Sequence, residues 1–320
     1  MFENPERVAR SCGDSDIVFS RYLLSDRATS WRDVGDGRSE HIDEWGSTWV
    51  RLDAASKGQV ARGVLKEIGE MDQYELPDYS RPDAYRPVSD ARAKSPDKWL
   101  IGELPGFAFG IGQKLRKLDN YLLDLILEPE RVHVLNDRID DLLMKMIHCY
   151  AGAGVDCAMF WEDWGAQDRL MINPALWREE FRPRFEKLCA AAHDSGIRVF
   201  MHSCGQIREI VPDLIQSGID VLQFDQPDLH GIDALAAYQE KSKITFWCPV
   251  DIQTTLQLRD EARIRAKARD MLDKLWKKRG GFIAGYYEDN RAIGLDPRWQ
   301  DYATDEFIRS GTQRRYSEVS

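Results

Sequence analysis

No stretch of this chain stays apolar for more than a few residues, so nothing in it has the length of a membrane span. Its first ten residues, Met1 to Arg10, carry charges and a proline but no apolar core. They do not read as a secretory leader, and the expected location is cytoplasmic, with no membrane partner. Positive charge is also short: 44 Lys and Arg stand against 54 Asp and Glu, a net charge of -10. An acidic surface repels phosphate backbones, which argues against nucleic acid as a partner. The basic run Lys274–Arg279 fits a helix end before Gly280-Gly281. Cysteine is sparse, with six residues (Cys12, Cys149, Cys157, Cys189, Cys204 and Cys248) and no compact spacing framework. Reduced thiols are expected rather than a disulfide scaffold. Cys149, Cys157 and Cys189 have apolar neighbours and read as core thiols. There is no internal repeat. No glycine fingerprint follows a first strand, which removes the usual mark of an open dinucleotide-binding sheet.

With 320 residues and 43% hydrophobic content the chain can build one large core. Composition shifts near residue 95. Residues 1–95 are polar, with Pro77, Pro82 and Pro87 in a loop-like stretch from Leu76 to Lys94. They read as an N-terminal extension, or first part, of a single domain whose main part is 96–320. Beyond that point six short apolar segments recur: Lys98–Gly102, Val155–Trp161, Ile197–His202, Val221–Asp225, Ile244–Val250 and Gly281–Tyr286. Their hydrophobicity is continuous rather than alternating, as in strands buried on both faces.

Helical patterns lie between these strands. Pro129–Tyr150 repeats apolar residues at Val132, Leu135, Ile139, Leu142, Leu143 and Met146. Pro174–Ser195 follows Asn173, a good N-cap, with proline at the first helical position. Ile207–Gly218, Asp233–Lys241 and Glu261–Arg279 complete the set. This alternation predicts an α/β fold with parallel strands, and we favour a (β/α)8 TIM-type barrel with a shortened or modified N-terminal part. Two of its strands must then come from the N-terminal part, one at Asp16–Phe19.

In such a barrel chemistry collects at the C-terminal ends of the strands. Glu103 follows the first clear strand. Later ends carry Glu162-Asp163-Trp164-Gly165-Ala166-Gln167, then His202-Ser203-Cys204-Gly205, then Asp225-Gln226, then Cys248-Pro249-Val250-Asp251-Ile252-Gln253, then Tyr286-Tyr287-Glu288. His202 and Cys204 can turn an imidazole and a thiolate to one point where the chain leaves extended geometry, a donor set that suits Zn²⁺. Cys248 sits at an equivalent strand end, and Glu162 or Asp163 offers a fourth ligand. A plainer arrangement fits the same residues, with His202 bonded to backbone and Cys204 in the core. The carboxylates Asp163, Asp225, Asp251 and Glu288 suit acid–base work or a cationic substrate group, and equally helix capping. The aromatic residues Trp161, Trp164, Phe224, Trp247, Tyr286 and Tyr287 either wall a flat substrate or fill the top of the core. His41, His133, His148 and His193 lack ligand spacing and read as structural, and Arg178, Glu179 and Glu180 read as a solvated helix face.

Several of these stretches, in order over roughly residues 98–310, resemble the uroporphyrinogen decarboxylase superfamily. The segments are Asp163-Trp164-Gly165-Ala166-Gln167 with Met171-Ile172-Asn173-Pro174, Met201-His202-Ser203-Cys204-Gly205 with Ile210-Val211-Pro212-Asp213-Leu214-Ile215, Phe246 to Gln253, and Gly280-Gly281-Phe282-Ile283. The resemblance implies a (β/α)8 barrel with its site at the strand C-termini. The decarboxylases carry an N-terminal segment of the type RQAGRY, and this sequence has none. The other branch holds zinc methyltransferases that use a His-x-Cys pair and a distant Cys. His202 and Cys204 match the pair. The usual place of the distant Cys, near the last strand, holds Tyr286, Tyr287 and Glu288, and Cys248 one strand earlier is the substitute.

The resemblance therefore implies a zinc-dependent methyltransferase that moves a methyl group from a methoxylated or methylated small molecule to a corrinoid protein. Zn²⁺ would be held by His202, Cys204, Cys248 and Glu162. Asp163, Asp251 and Glu288 would be catalytic, and Trp164, Gln167, Asp225, Trp247, Gln253, Tyr286 and Tyr287 would face the substrate. Two other readings stand beside it: a metal-free decarboxylase using Asp163 and Asp251, and a non-catalytic barrel partner of a corrinoid protein. A short N-terminal barrel half leaves room for a partner chain, so a homo-oligomer is within the expectation.

Overall fold

The computed structural model describes residues 16–54, 56–277 and 280–317, with side chains described as far as 311. The segment Met1–Arg10, Cys12 and the basic pair Lys278-Arg279 lie outside the described residues. In chain order β1 (Ile17–Ser20) precedes four short strands, β2 (Arg32–Gly35), β3 (Arg38–Ile42), β4 (Thr48–Arg51) and β5 (Gln59–Arg62). Then come β6 (Trp99–Glu103), β7 (Cys157–Trp161), β8 (Arg198–His202), β9 (Val221–Gln223), β10 (Thr245–Cys248) and β11 (Phe282–Ala284). One seven-stranded sheet has the order β1-β6-β7-β8-β9-β10-β11, and β2 to β5 form a separate four-stranded sheet. The long sheet is parallel and its strands alternate with helices, a TIM-barrel-like α/β fold.

The chain divides into two compact units. Among described residues the first covers 16–162 and 172–199. It holds β1 paired to β6 and β6 to β7, all parallel, together with the antiparallel sheet. Its longest helix, Pro129–Ala153, buries Val132, Leu135, Ile139, Leu142, Leu143 and Met146, the stripe read from the sequence. Each such side chain taken from water contributes roughly 1.5–3 kcal/mol. The second unit covers 163–171 and 200–317 and holds the end of β8 with β9, β10 and β11 in parallel register.

All seven expected parallel segments form strands, including the one near Asp16–Phe19. An eighth parallel strand is not present among the described residues. The antiparallel sheet was not foreseen. Its strands are four or five residues long and none is buried through, so they lack the continuous apolar signal of the core strands. Leu76 to Lys94 is not all loop, because Arg86–Lys94 is a helix with Pro87 in its first turn, where a missing N–H costs nothing. The helix expected over Pro174–Ser195 is two helices, Pro174–Glu180 and Arg182–Asp194. The second begins at Arg182-Pro183, and proline has no N–H to continue the first. Among the described residues no helix is long and apolar enough to cross a membrane.

Candidate metal centre

Strand β8 ends in His202, and the next three residues turn sharply. Gly205 has φ +75°, and a Cβ there would lie 2.3 Å from the carbonyl oxygen of Gly165. Only glycine lets the two loops approach this closely. Three hydrogen bonds hold that approach. The amide of Cys204 donates to Asp163 Oδ1 at 2.8 Å, the amide of Trp164 to Ser203 Oγ at 3.3 Å, and the amide of Gln206 to the carbonyl of Ala166 at 2.8 Å. From the other side Gly205 N–H donates to Gln226 Oε1 at 3.1 Å.

The consequence is a cluster of unlike donors. His202 Nε2 lies 3.3 Å from Cys204 Sγ and 3.5 Å from Asp163 Oδ1. The ligand atoms of Asp163, His202 and Cys204 all fall within 4.8 Å of one another. Ligands bound tetrahedrally at 2.0–2.3 Å would stand about 3.3–3.7 Å apart. The spacing is compatible with a single ion, and nitrogen, sulfur and oxygen are donors that Zn²⁺ accepts. The imidazole is buried while the Asp163 carboxylate is 53% exposed, so the cluster reaches solvent on the carboxylate side.

Behind the cluster, His202 Nδ1 is in hydrogen-bond contact with Gln223 Oε1, and Gln223 Nε2 donates to Asp225 Oδ1 at 2.7 Å. The phenol of Tyr287 is pushed up to about 12, by burial first and then by the negative charges of Asp225, Asp289 and Cys204. Its backbone is clamped by buried Gln300, which accepts from Tyr287 N–H at 2.6 Å and donates to its carbonyl at 2.6 Å. His230 stacks on Phe224 at 4.1 Å, and burial pushes its imidazole down to about 4.

The remaining expected residues are placed differently. Cys248 is wholly buried, burial raises its thiol, and it does not belong to the cluster. Glu162 is not brought to the cluster either. Its Oε1 accepts the amides of Phe107 and Gly110, both at 2.7 Å, and so caps helix Ala108–Arg116. Asp251 is buried and satisfied by backbone, accepting from Gln253 N at 2.9 Å, Thr254 N at 2.8 Å and Asp228 N at 3.0 Å. Trp164 is 0% exposed, which withdraws its ring from any solvent-facing wall. Trp247 is half-buried against Phe200, Tyr286 is half-buried, and Glu288 is exposed. Gln167 donates to Gln253 at 2.9 Å, an exposed amide pair that links two of the loops. Glu103 is half-buried, and its carbonyl accepts from Tyr150.

Gln223, Gln300 and His230 are residues of this region that the sequence reading does not single out, whereas Gln226 is among the strand-end residues it names. A signal existed for Gln223, a lone polar residue in the short apolar run Val221–Phe224. Glu180 is not solvated as expected. It accepts from Arg184 Nε at 2.9 Å, in a network that also ties Arg184 to Asp137 and Asp140.

Among known structures the chain is similar to a methyltransferase from Methanosarcina mazei. The TM-score is 0.65 at 14% identity, over 95% of this chain and 83% of that one. It is also similar to a B12-independent methionine synthase from Shewanella sp. W3-18-1 solved with selenomethionine. There the TM-score is 0.54 at 12% identity, over 98% of this chain and 87% of that one. At such identities the likeness is one of fold. No curated protein matches the chain in sequence. The model of the uroporphyrinogen decarboxylase (URO-D) family matches residues 107–286, from the helix capped by Glu162 through the loop after β11. That span is more than half of the chain and contains all three clustered ligand residues, and on it the chain belongs to the uroporphyrinogen decarboxylase family.

Proposed function

We propose that this protein is a zinc-dependent methyltransferase that moves a methyl group from a methoxylated or methylated small molecule to a corrinoid carrier protein. The observation that carries the reading is the Asp163–His202–Cys204 cluster. The two methyl-transfer enzymes among the structural neighbours add support by fold. The absence of an RQAGRY-type arginine segment weighs against the decarboxylase alternative.

His202, Cys204 and Asp163 would hold the ion, which would act as a Lewis acid on the donor heteroatom or activate a thiol. Such a transfer would break the methyl–heteroatom bond with the electron pair left on the heteroatom, which would take a proton from solvent, while the methyl would go to the reduced corrinoid of the carrier as acceptor substrate. The side chains of this chain do the rest. Asp163 faces solvent and meets the incoming group. Tyr287, whose phenol stays protonated at neutral pH, offers a donor hydrogen beside Asp225 and Cys204. Gln167 and Gln253 present an exposed amide pair to polar parts of a substrate.

Metal analysis of protein purified without added zinc tests the reading, paired with methyl-transfer assays using reduced corrinoid and a panel of methoxylated and methylated donors. We expect one bound zinc per chain, lost in His202→Ala and in Cys204→Ser together with activity. Metal-free wild-type protein, or activity that survives both substitutions and chelation, overturns it.

A further inference from the structure

We propose that Asp225 and Gln223 form an orientation relay that fixes which ring nitrogen of His202 faces the ligand cluster. Gln223 is then a positioning residue of the centre. The inference rests on the metal reading above for its consequence, but its geometry stands without a metal.

The relay follows from strand geometry and from what each group can donate. Parallel pairing of β8 with β9 sets His202 opposite Gln223, and Gln223 and Asp225 are two residues apart, where extended chain returns to the same side. A carboxylate only accepts, so the Gln223 group that meets Asp225 Oδ1 at 2.7 Å must be the amide nitrogen. The amide oxygen is thereby turned to His202 Nδ1. That oxygen also only accepts, so Nδ1 must carry the proton. A neutral imidazole has one such proton, which leaves Nε2 with a lone pair. Nε2 is the nitrogen that faces Cys204 Sγ at 3.3 Å and Asp163 Oδ1 at 3.5 Å.

The reversed amide would set its oxygen against the Asp225 carboxylate and its NH₂ against Nδ1. The imidazole proton would then move to Nε2 and point into the cluster, where it blocks a cation. Asp225 thus sets the metal-binding tautomer from two residues away without touching the ligand. Partners of this kind characteristically tune metal affinity by about 10–100-fold.

Two readouts separate the relay from the metal reading. In metal-free protein labelled with ¹⁵N-histidine, the nitrogen shifts and couplings of His202 report its tautomer. In a second experiment zinc affinity is measured by competition with a chromophoric chelator. Wild type is expected to be in the Nδ1–H form. Gln223→Leu should populate the Nε2–H form and weaken zinc binding about 10–100-fold. Asp225→Leu, which removes the acceptor, should release the amide and act in the same direction. The pair Gln223→Glu with Asp225→Asn rebuilds the relay with its chemistry exchanged, because the new carboxylate accepts both from Nδ1–H and from the new amide. The pair should keep the Nδ1–H tautomer and bring affinity within about threefold of wild type. A wild-type tautomer in Gln223→Leu overturns the relay, as does failure of the exchanged pair to outperform Asp225→Leu. If Gln223→Leu does not fold, the nearly isosteric exchanged pair decides the matter. If wild type binds no zinc, the functional reading falls, while the tautomer measurement still judges the relay.

Discussion

Glu162 and Asp163 are neighbours in sequence, yet they belong to different compact units and have opposite fates. Four buried carboxylates in the unit of Glu162 are held by hydrogen bonds or guanidinium groups, as buried Asp251 is held by amides in the other. Glu162 takes two backbone amides, Glu44 takes the hydroxyls of Tyr22 and Tyr79 at 2.7 and 2.6 Å, and Asp124 takes Arg116 Nε at 2.6 Å. Asp140 takes Arg184 Nη1 at 2.6 Å. In the unit of Asp163, a nitrogen, a sulfur and an oxygen ligand atom converge within 4.8 Å of one another. The difference separates two uses of buried polarity. A carboxylate whose partners are amides, hydroxyls and guanidinium groups holds the fold. A carboxylate that converges with an imidazole nitrogen and a thiol gathers electron pairs, the kind of set that could hold a metal ion.

The largest expected effect that would break this distinction is in the first unit. Arg184→Ala should destabilise the protein by about 3–5 kcal/mol, because it strands buried Asp140 without its cation. Denaturant unfolding measures this, and zinc affinity should not move.

The next effect is a pair of opposed pH slopes, one in each unit. Burial lowers His230 from 6.5 to about 4, so the unfolded chain binds the extra proton between those values. Stability from His230 is full above about pH 6.5 and is lost as pH falls towards 4, by about 3 kcal/mol in all. Burial raises Asp140 from 3.8 to about 6 despite Arg184, so the folded chain holds the extra proton there. That contribution is full below about pH 3.8 and is lost as pH rises through 6. The two slopes therefore oppose each other between pH 4 and 6. His230→Phe removes the acid-side loss, so its stability relative to wild type should grow as pH falls from 6.5 towards 4 in equilibrium unfolding.

Smaller still is Glu162→Gln, which keeps an acceptor for Phe107 and Gly110 but removes the charge at a helix N-terminus. It should cost about 1 kcal/mol in unfolding experiments and leave metal content unchanged. Smallest in stability is Asp163→Asn, at under about 0.5 kcal/mol, because the side chain is half exposed and still accepts from Cys204 N–H. The same substitution should weaken zinc binding about tenfold or more in chelator competition. A result in which Glu162→Gln empties the centre and Asp163→Asn does not would reverse the comparison.

Much of the fold is written locally. Buried parallel strands need unbroken Val, Ile, Phe and Trp, and the long helix needs its 3.6-residue stripe, so both were legible at Cys157–Trp161 and Pro129–Ala153. The antiparallel sheet at 32–62 was not, because exposed short strands have no such signature. His202 and Cys204 were legible because their spacing and strand-end position are local. Cys248 and Asp251 looked equally eligible by the same rule. The first is enclosed in the core and the second is taken up by three backbone amides. Strand-end position does not specify which way a side chain leaves the turn.

The sequence by itself determined the family, the order of parallel strands and helices, and the loop that carries His202 and Cys204, because these depend on periodicity and on motifs contiguous in the chain. The tertiary structure alone decided that Asp163, not Glu162 or Cys248, stands with that pair, and that Gln223 stands behind His202. Those choices depend on the pairing register of β8 with β9 and on the close approach at Gly165 and Gly205. They are distances between segments remote in sequence, and no local pattern of residues encodes them.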